Sequence, residues 1–308
     1  MHNLNFQLRN LCLNSKEDSF ATRNDRLSIL DLAANQLDSL GFRRISINGL
    51  KPKHVFALVQ LWKKQTIGVG TIKNRLACIR WWARKIGKFD MLSPTNDVFG
   101  IDDRVYVTNT SKSSHLSVID SNHLSSFDSC LDKITDISIK TSILLQAAFG
   151  LRREECLKFI PSWADRGHSI VLKGSWCKGG QQRTVPVLNE NQREVLDKAR
   201  LVAGFASMIP PHRTYIQQLK AYENLTHKVG LFKLHGLRHK YAQERYFQLT
   251  GSLSPSDGGL TKYSIIHSDS LSDEQKLSWV SLDNDARLII SNELGHHRED
   301  ITAVYLGR

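Results

Sequence analysis

Residues 235–242 read HGLRHKYA, the opening of a helical segment over 235–249. His235 and His239 stand one helical turn apart, the spacing of a zinc-ligand pair. A zincin carries a glutamate between its histidines, whereas Gly236 and Leu237 follow His235 here, and no third ligand is evident. The reading is therefore of no metal. The stretch offers two imidazoles and the guanidinium of Arg238 for some other chemistry.

Three further stretches carry chemistry-bearing side chains. GLRREE (150–155) ends one helix with Gly150 and opens another with Arg152. KGGQQRTVP (178–186) has a Lys-Gly-Gly turn between two β-like runs. LGHH (294–297) is followed by Tyr305, nine residues after His296. Each has a bland reading alone. An arginine at a helix start is usually an ion-pair residue, Lys-Gly-Gly is usually a turn, and a tyrosine near a chain end is usually packing.

Around these motifs the pattern is mainly α, with a small β-sheet formed by Ser169–Lys173 and Arg183–Leu188. Helices are expected over 24–40, 51–65 and 70–87, forming a first domain over 21–92 behind a loose polar arm, 1–20. Residues 93–115 lack helical periodicity and read as a linker. In a second domain, 116–308, Ser121 is expected to cap a helix over 122–133. Ile137–Phe149 is strongly apolar, and further helices are expected at 152–160, 189–203, 212–228, 285–294 and 298–305. Ser- and Asp-rich residues 250–284 read as an inserted loop, more a solvated excursion than a subunit contact. A further N-terminal domain is not expected, since residues 1–20 are too short to form one.

The chain has 308 residues, a formal net charge of +12 and 41% apolar residues, which excludes a disordered chain and suits about two domains. Nothing approaches the roughly 18 apolar residues of a membrane span, and no signal-peptide core opens the chain. The five cysteines form no CxxC pair, so free thiols and a cytoplasmic location are expected. The charge is localised. Between Gly41 and Phe89 lie Arg43, Arg44, Lys51, Lys53, Lys63, Lys64, Lys73, Arg75, Arg80, Arg84, Lys85 and Lys88, with no Asp or Glu. The apolar stripes Val55-Leu58-Val59-Trp62 and Leu76-Ile79-Trp82-Ile86 turn inward and leave a basic face outward. Double-stranded DNA, gripped through its phosphates, is the expected partner.

Taken in order, Arg152, Lys178, His235-x-x-Arg238, Gly295-His296 and Tyr305 resemble the signature of the tyrosine recombinase (phage-type integrase) family. The resemblance covers about 120–308, and a basic helical domain ahead of it fits the family's core-binding, SAM-like domain. It implies a mainly α protein with an α+β catalytic domain. It also implies DNA cleavage through a covalent 3′-phosphotyrosine, with no cofactor and no metal.

By that resemblance Tyr305 is the nucleophile, Arg152 and Arg238 clamp the phosphate, and His235 and His296 donate hydrogen bonds and handle protons. Lys178 is the acid for the leaving 5′-oxygen, and Glu155 orients the site. Arg153 is the alternative to Arg152. The implied assembly is a homotetramer on synapsed sites, with accessory bending or directionality factors as further partners. Two features depart from the pattern: the long gap from His235 to His296, and the few residues after Tyr305, where many relatives carry a tail that docks on the next protomer. A type IB topoisomerase and a catalytically silent DNA-binding regulator are the competing readings.

Overall fold

The computed structural model describes residues 3–103, 105, 107–113, 127–296 and 299–308. Two compact units divide the chain, Met1–Val105 and Tyr106–Arg308.

The first unit is all α: α1 (Asn3–Asn14), α2 (Phe20–Ser39), α3 (Pro52–Lys64) and α4 (Val69–Lys85). Ser19 caps α2, its Oγ accepting from Thr22 N at 3.2 Å. Pro52 opens α3, where its missing N–H costs nothing. The two expected stripes are buried except for half-buried Ile86, and Trp62 and Trp82 bring their indole N–H groups to acceptors, Gln36 Oε1 at 2.8 Å and the Ile47 carbonyl at 2.9 Å. The expected loose arm is corrected. Residues 3–14 are helical, and Leu4, Leu8 and Cys12, spaced four apart, are buried in this core. That spacing lays an apolar stripe along one face of the helix, while Phe6 and Leu13, also apolar, stay exposed off it.

The second unit opens, among the described residues, with α5 (Phe127–Asp132), α6 (Ile137–Phe149), α7 (Arg153–Lys158) and α8 (Pro161–Ala164). The expected cap Ser121 lies outside the described residues. A hairpin of β1 (Ser169–Leu172) and β2 (Arg183–Pro186) follows, antiparallel, with Ser169 opposite Pro186 and Leu172 opposite Arg183. Then come α9 (Glu190–Ala203), α10 (Tyr215–Lys228), α11 (Gly236–Thr250), α12 (Lys262–Ile266), α13 (Asp273–Leu294) and α14 (Glu299–Leu306). α6 is the core helix, packed by α7, α9 and α11; α13 packs against β2, α11 and α14.

The reading of 250–284 as a loop is also corrected. α12 and the first half of α13 lie inside it, and Ser254, Pro255, Ser256 and Asp283 are buried. α13 begins twelve residues ahead of the expected 285, where Ser272 and Gln275 cap it reciprocally. Asp283 holds it to α11, accepting from Tyr246 Oη at 2.7 Å and from Arg287 Nε at 2.8 Å. A polar anchor of this kind leaves no apolar periodicity to read.

Because Leu8 is fully buried, Leu8→Ala is expected to lower the urea-unfolding stability of the first unit by about 2–5 kcal/mol. An unchanged midpoint would show that α1 is the loose arm after all.

Candidate active site

Arg238, on the first turn of α11, is fully buried. Its Nε donates to the Tyr305 hydroxyl at 3.2 Å, Nη1 to the Gly150 carbonyl at 2.6 Å, and Nη2 to the Leu294 carbonyl. One guanidinium thus joins the end of α6, the end of α13 and the tyrosine of α14. Burial pushes its pKa down to about 10, against which the nearby Tyr305 works.

Both glycines flanking this cation are needed for the approach. Gly150 ends α6 at φ +58°, and a Cβ there would meet Tyr241 Cδ1 at 2.7 Å. Gly295 ends α13 at φ +69°, and a Cβ there would meet Arg183 Cδ at 2.8 Å. Each position demands a left-handed backbone and an empty space together.

His296 follows Gly295, with Nε2 3.1 Å from the Tyr305 hydroxyl and 3.5 Å from Nη2 of both Arg152 and Arg238. His235 and His239 stack edge to face, their ring centroids 6.2 Å and 4.6 Å from that of Tyr305. Desolvation first, then the neighbouring basic groups (for His239 the His235 ring ahead of Lys112 and Arg238), lower all three imidazole pKa values. His235 keeps an exposed edge and falls to about 4, whereas His239 and His296 fall to about 3. For His235 and His296 the cations are Arg238 and Arg152. All three are neutral at pH 7 and able to accept a proton.

Glu155 sits behind the arginines. Its carboxylate accepts from Arg152 N at 2.6 Å, capping α7, and from Arg152 Nη1 at 2.9 Å. It also accepts from Arg183 Nη1 at 2.7 Å and Nη2 at 2.6 Å, a bidentate pair buried on both sides. Burial alone would raise the Glu155 pKa; the hydrogen bonds and charge of Arg183, then Arg238 and Arg152, overrule it and hold the carboxyl at about 2.

Of the residues singled out from the sequence, Arg152, His235, Arg238, His296 and Tyr305 come together, with Glu155 behind them. Lys178 does not join the cluster. It is exposed on the β1–β2 connection and makes no hydrogen bond or ion pair among the described residues. Arg153, the alternative to Arg152, points away and pairs with Glu223 at 2.7 Å. Sequence reasoning missed Arg183 and His239 as site residues. Both stand inside the quoted motifs, Arg183 five residues after Lys178 and His239 next to Arg238, and only burial reveals their parts. The histidine pair at 235 and 239 meets no third ligand: among the described residues no group of three or more His, Cys, Asp or Glu is placed to hold a metal.

In the first unit the basic residues divide. Lys63 donates to the Phe99 and Gly100 carbonyls, Lys88 to those of Asn48 and Leu50, and Arg80 to those of Ser93 and Thr95. Lys73 pairs with Asp103 and Lys85 with Glu17, while the Arg75 guanidinium lies 5.3 Å from the Trp62 ring. Arg43, Arg44, Lys51, Lys53, Lys64 and Arg84 are exposed, and their side chains form no hydrogen bond or ion pair among the described residues.

The phage integrase N-terminal family model matches residues 1–92, and the integrase family model matches residues 107–244. Together they take in most of the chain, which belongs to the tyrosine recombinase (phage-type integrase) family. Among solved structures it is similar to the Tn1549 transposon integrase in complex with transposon right-end DNA, with TM-score 0.57 and 11% identity, over 99% of this chain and 95% of that one. It is similar also to the XerH site-specific recombinase bound to palindromic difH substrate in a post-cleavage complex (TM-score 0.57, 14% identity, 99% of this chain and 81% of that one). A lambda integrase dimer bound to a COC′ core site gives TM-score 0.57 and 14% identity over 100% of this chain and 96% of that one. At such identities the likeness is one of fold. No curated protein matches the chain by sequence.

Glu155→Gln is expected to cost about 3–5 kcal/mol of stability at pH 7, because it strands buried Arg183. The native pKa lies below the usual 4.5, so the stabilisation is complete above that pH and drains away as pH falls toward 2. Urea melts across that range should show the Gln penalty shrinking; a pH-independent penalty would contradict the pairing. For the histidines, the C2 protons of His235, His239 and His296 should not titrate between pH 5 and 8 by NMR. Unfolding releases each to protonate near 6.5, so they too favour the native state less as pH falls from 6.5 toward 3 or 4.

Proposed function

We propose that this chain is a site-specific DNA recombinase that integrates or excises a mobile element, cutting and rejoining DNA through a 3′-phosphotyrosine at Tyr305. The observation that carries the reading is Arg238: a buried guanidinium touching the Tyr305 hydroxyl, with carbonyls as its other oxygen partners and no carboxylate in direct contact among the described residues. A buried cation without its own anion is suited to a ligand that brings one.

In this reading Tyr305 Oη attacks the scissile phosphorus and the 5′-oxygen leaves. Neutral His296 accepts the phenol proton across 3.1 Å. Arg152, 19% exposed at its side chain, faces the open side of the site and clamps the nonbridging oxygens with Arg238. His235 adds a further hydrogen bond to them. Lys178 protonates the leaving oxygen when the hairpin turn meets the DNA. Attack by the 5′-hydroxyl of a partner strand reverses the step and completes exchange. Two arginines and a lysine supply the positive charge that metal ions supply elsewhere. Of the twelve basic residues between Gly41 and Phe89, Arg43, Arg44, Lys51, Lys53, Lys64 and Arg84 are the phosphate contacts we favour, since they are exposed and their side chains form no hydrogen bond or ion pair among the described residues, Lys53 resting only on the Phe42 ring at 5.8 Å. Double-stranded DNA in the cytoplasm is the substrate, synapsed in a homotetramer, with accessory DNA-bending or directionality factors as further partners. No described helix is long and apolar enough to cross a membrane.

The test is a nicked suicide duplex carrying attachment-site repeats sought in the DNA beside the gene. Wild-type protein should form a covalent adduct in excess EDTA. Tyr305→Phe should bind the duplex with unchanged affinity and form none. An adduct with the Phe variant would remove Tyr305 from the role, and cleavage restored only by Mg²⁺ would end the metal-independent reading. Relaxation of supercoiled DNA at no specific site would favour a type IB topoisomerase.

A further inference from the structure

The last carbonyls of a helix have no partner within it. The Tyr305 carbonyl is one of these, and it is buried. It accepts from Ser256 Oγ at 3.0 Å and from Gln243 Nε2 at 3.3 Å. Gln243 is 5% exposed and Ser256 6%. Gln243 Nε2 also lies 3.1 Å from both Ser256 Oγ and Ser111 Oγ. Beyond the tyrosine, the Gly307 carbonyl accepts from Arg287 Nη1 at 2.9 Å. Asn109 brackets Arg308, its Oδ1 accepting from the backbone N at 2.9 Å and its Nδ2 donating to the carbonyl at 3.2 Å. The tyrosine-bearing end is therefore gripped through its backbone by α11, by residues 254–256, by α13 and by the segment 107–113.

None of these groups touches the phenol, so their part is mechanical. The face of Tyr305 is set by the rotation of α14, and the carbonyl bonds fix that rotation. In-line attack needs reacting atoms about 3–3.5 Å apart, and a misplacement of about 1 Å costs on the order of 100-fold in rate.

We propose that Gln243 and Ser256 are positioning residues for the nucleophile: they hold the Tyr305 carbonyl and lock it to the segment 107–113 through Ser111. The inference rests on the reading of Tyr305 as nucleophile. It gives residues 250–284 a definite task, supplying one half of the grip, and it ties the tyrosine to the stretch of chain that leads in from the first unit.

The experiment uses full-length Gln243→Leu and, as a milder deletion of one hydroxyl, Ser256→Ala. The first readout is adduct formation on the nicked suicide duplex beside DNA affinity. Gln243→Leu should slow the adduct about 10–100-fold at unchanged affinity, and Ser256→Ala should slow it by less. A duplex with sulfur in place of the leaving 5′-oxygen should rescue Lys178→Ala, since a thiolate needs no proton to depart, and should leave the Gln243→Leu defect in place. The second readout needs no DNA: amide hydrogen exchange at 303–307 should quicken about tenfold or more in both variants. Wild-type adduct rates in both variants, rescue of Gln243→Leu by sulfur, or unchanged exchange would each overturn the proposal. If the wild-type protein forms no adduct, the nucleophile reading fails, and the exchange measurement still decides whether the grip exists.

Discussion

The candidate site is arranged around one buried guanidinium, that of Arg238. A cation as large as that of Arg238 is stable inside a protein only if its N–H groups meet acceptors. Here the acceptors are the Gly150 and Leu294 carbonyls and the Tyr305 hydroxyl. Two of them are exposed by helices that end in left-handed glycines, since a helix stopping there leaves terminal carbonyls free. The need to satisfy Arg238 thus explains why α6 and α13 end where they do, and why the space beside Gly150 and Gly295 is filled by Tyr241 and Arg183.

A second layer of charge steadies the first. Arg152, Arg183 and Arg238 crowd one carboxylate, Glu155, which is bidentate to Arg183 and caps the helix that begins at Arg153. The neighbouring imidazoles are neutral because they are desolvated beside these cations. The cluster holds more positive than negative charge, in a place where water screens it poorly. An anion arriving there meets donors that need little reorganisation, and a neutral imidazole stands next to the tyrosine hydroxyl.

Much of the fold was legible in periodicity. The stripes of α3 and α4, the apolar run of α6 with its stop at Gly150, and the two short strands follow local rules, and the structure keeps them within a few residues. The errors fall where local signals were overlaid. In α1 the stripe of Leu4, Leu8 and Cys12 was blurred by Phe6 and Leu13, apolar residues that stay exposed. In α13 the anchor is the buried Asp283–Arg287–Tyr246 set, which looks like solvent-facing chemistry in a sequence. Charge was legible as an address and illegible as availability: Lys63, Arg80 and Lys88 turn back onto carbonyls of their own unit, while Arg43, Lys51 and Lys64 do not.

The candidate site divides in the same way. The residue types and their order, from Arg152 through Lys178, His235, Arg238 and His296 to Tyr305, were present in the sequence, as were the turn glycines that precede Arg152 and His296. The sequence alone determined which functional groups the protein has and which helices and turns carry them, because helix, turn and cap preferences act over a few residues. Only the tertiary structure decided that Arg238 is buried against Tyr305, that Arg183 and His239 belong to the site, that Lys178 stands apart, and that Gln243 and Ser256 hold the tyrosine's backbone. Those facts depend on contacts between segments far apart in the chain, where burial sets both the strength of a charge and the need for its partners.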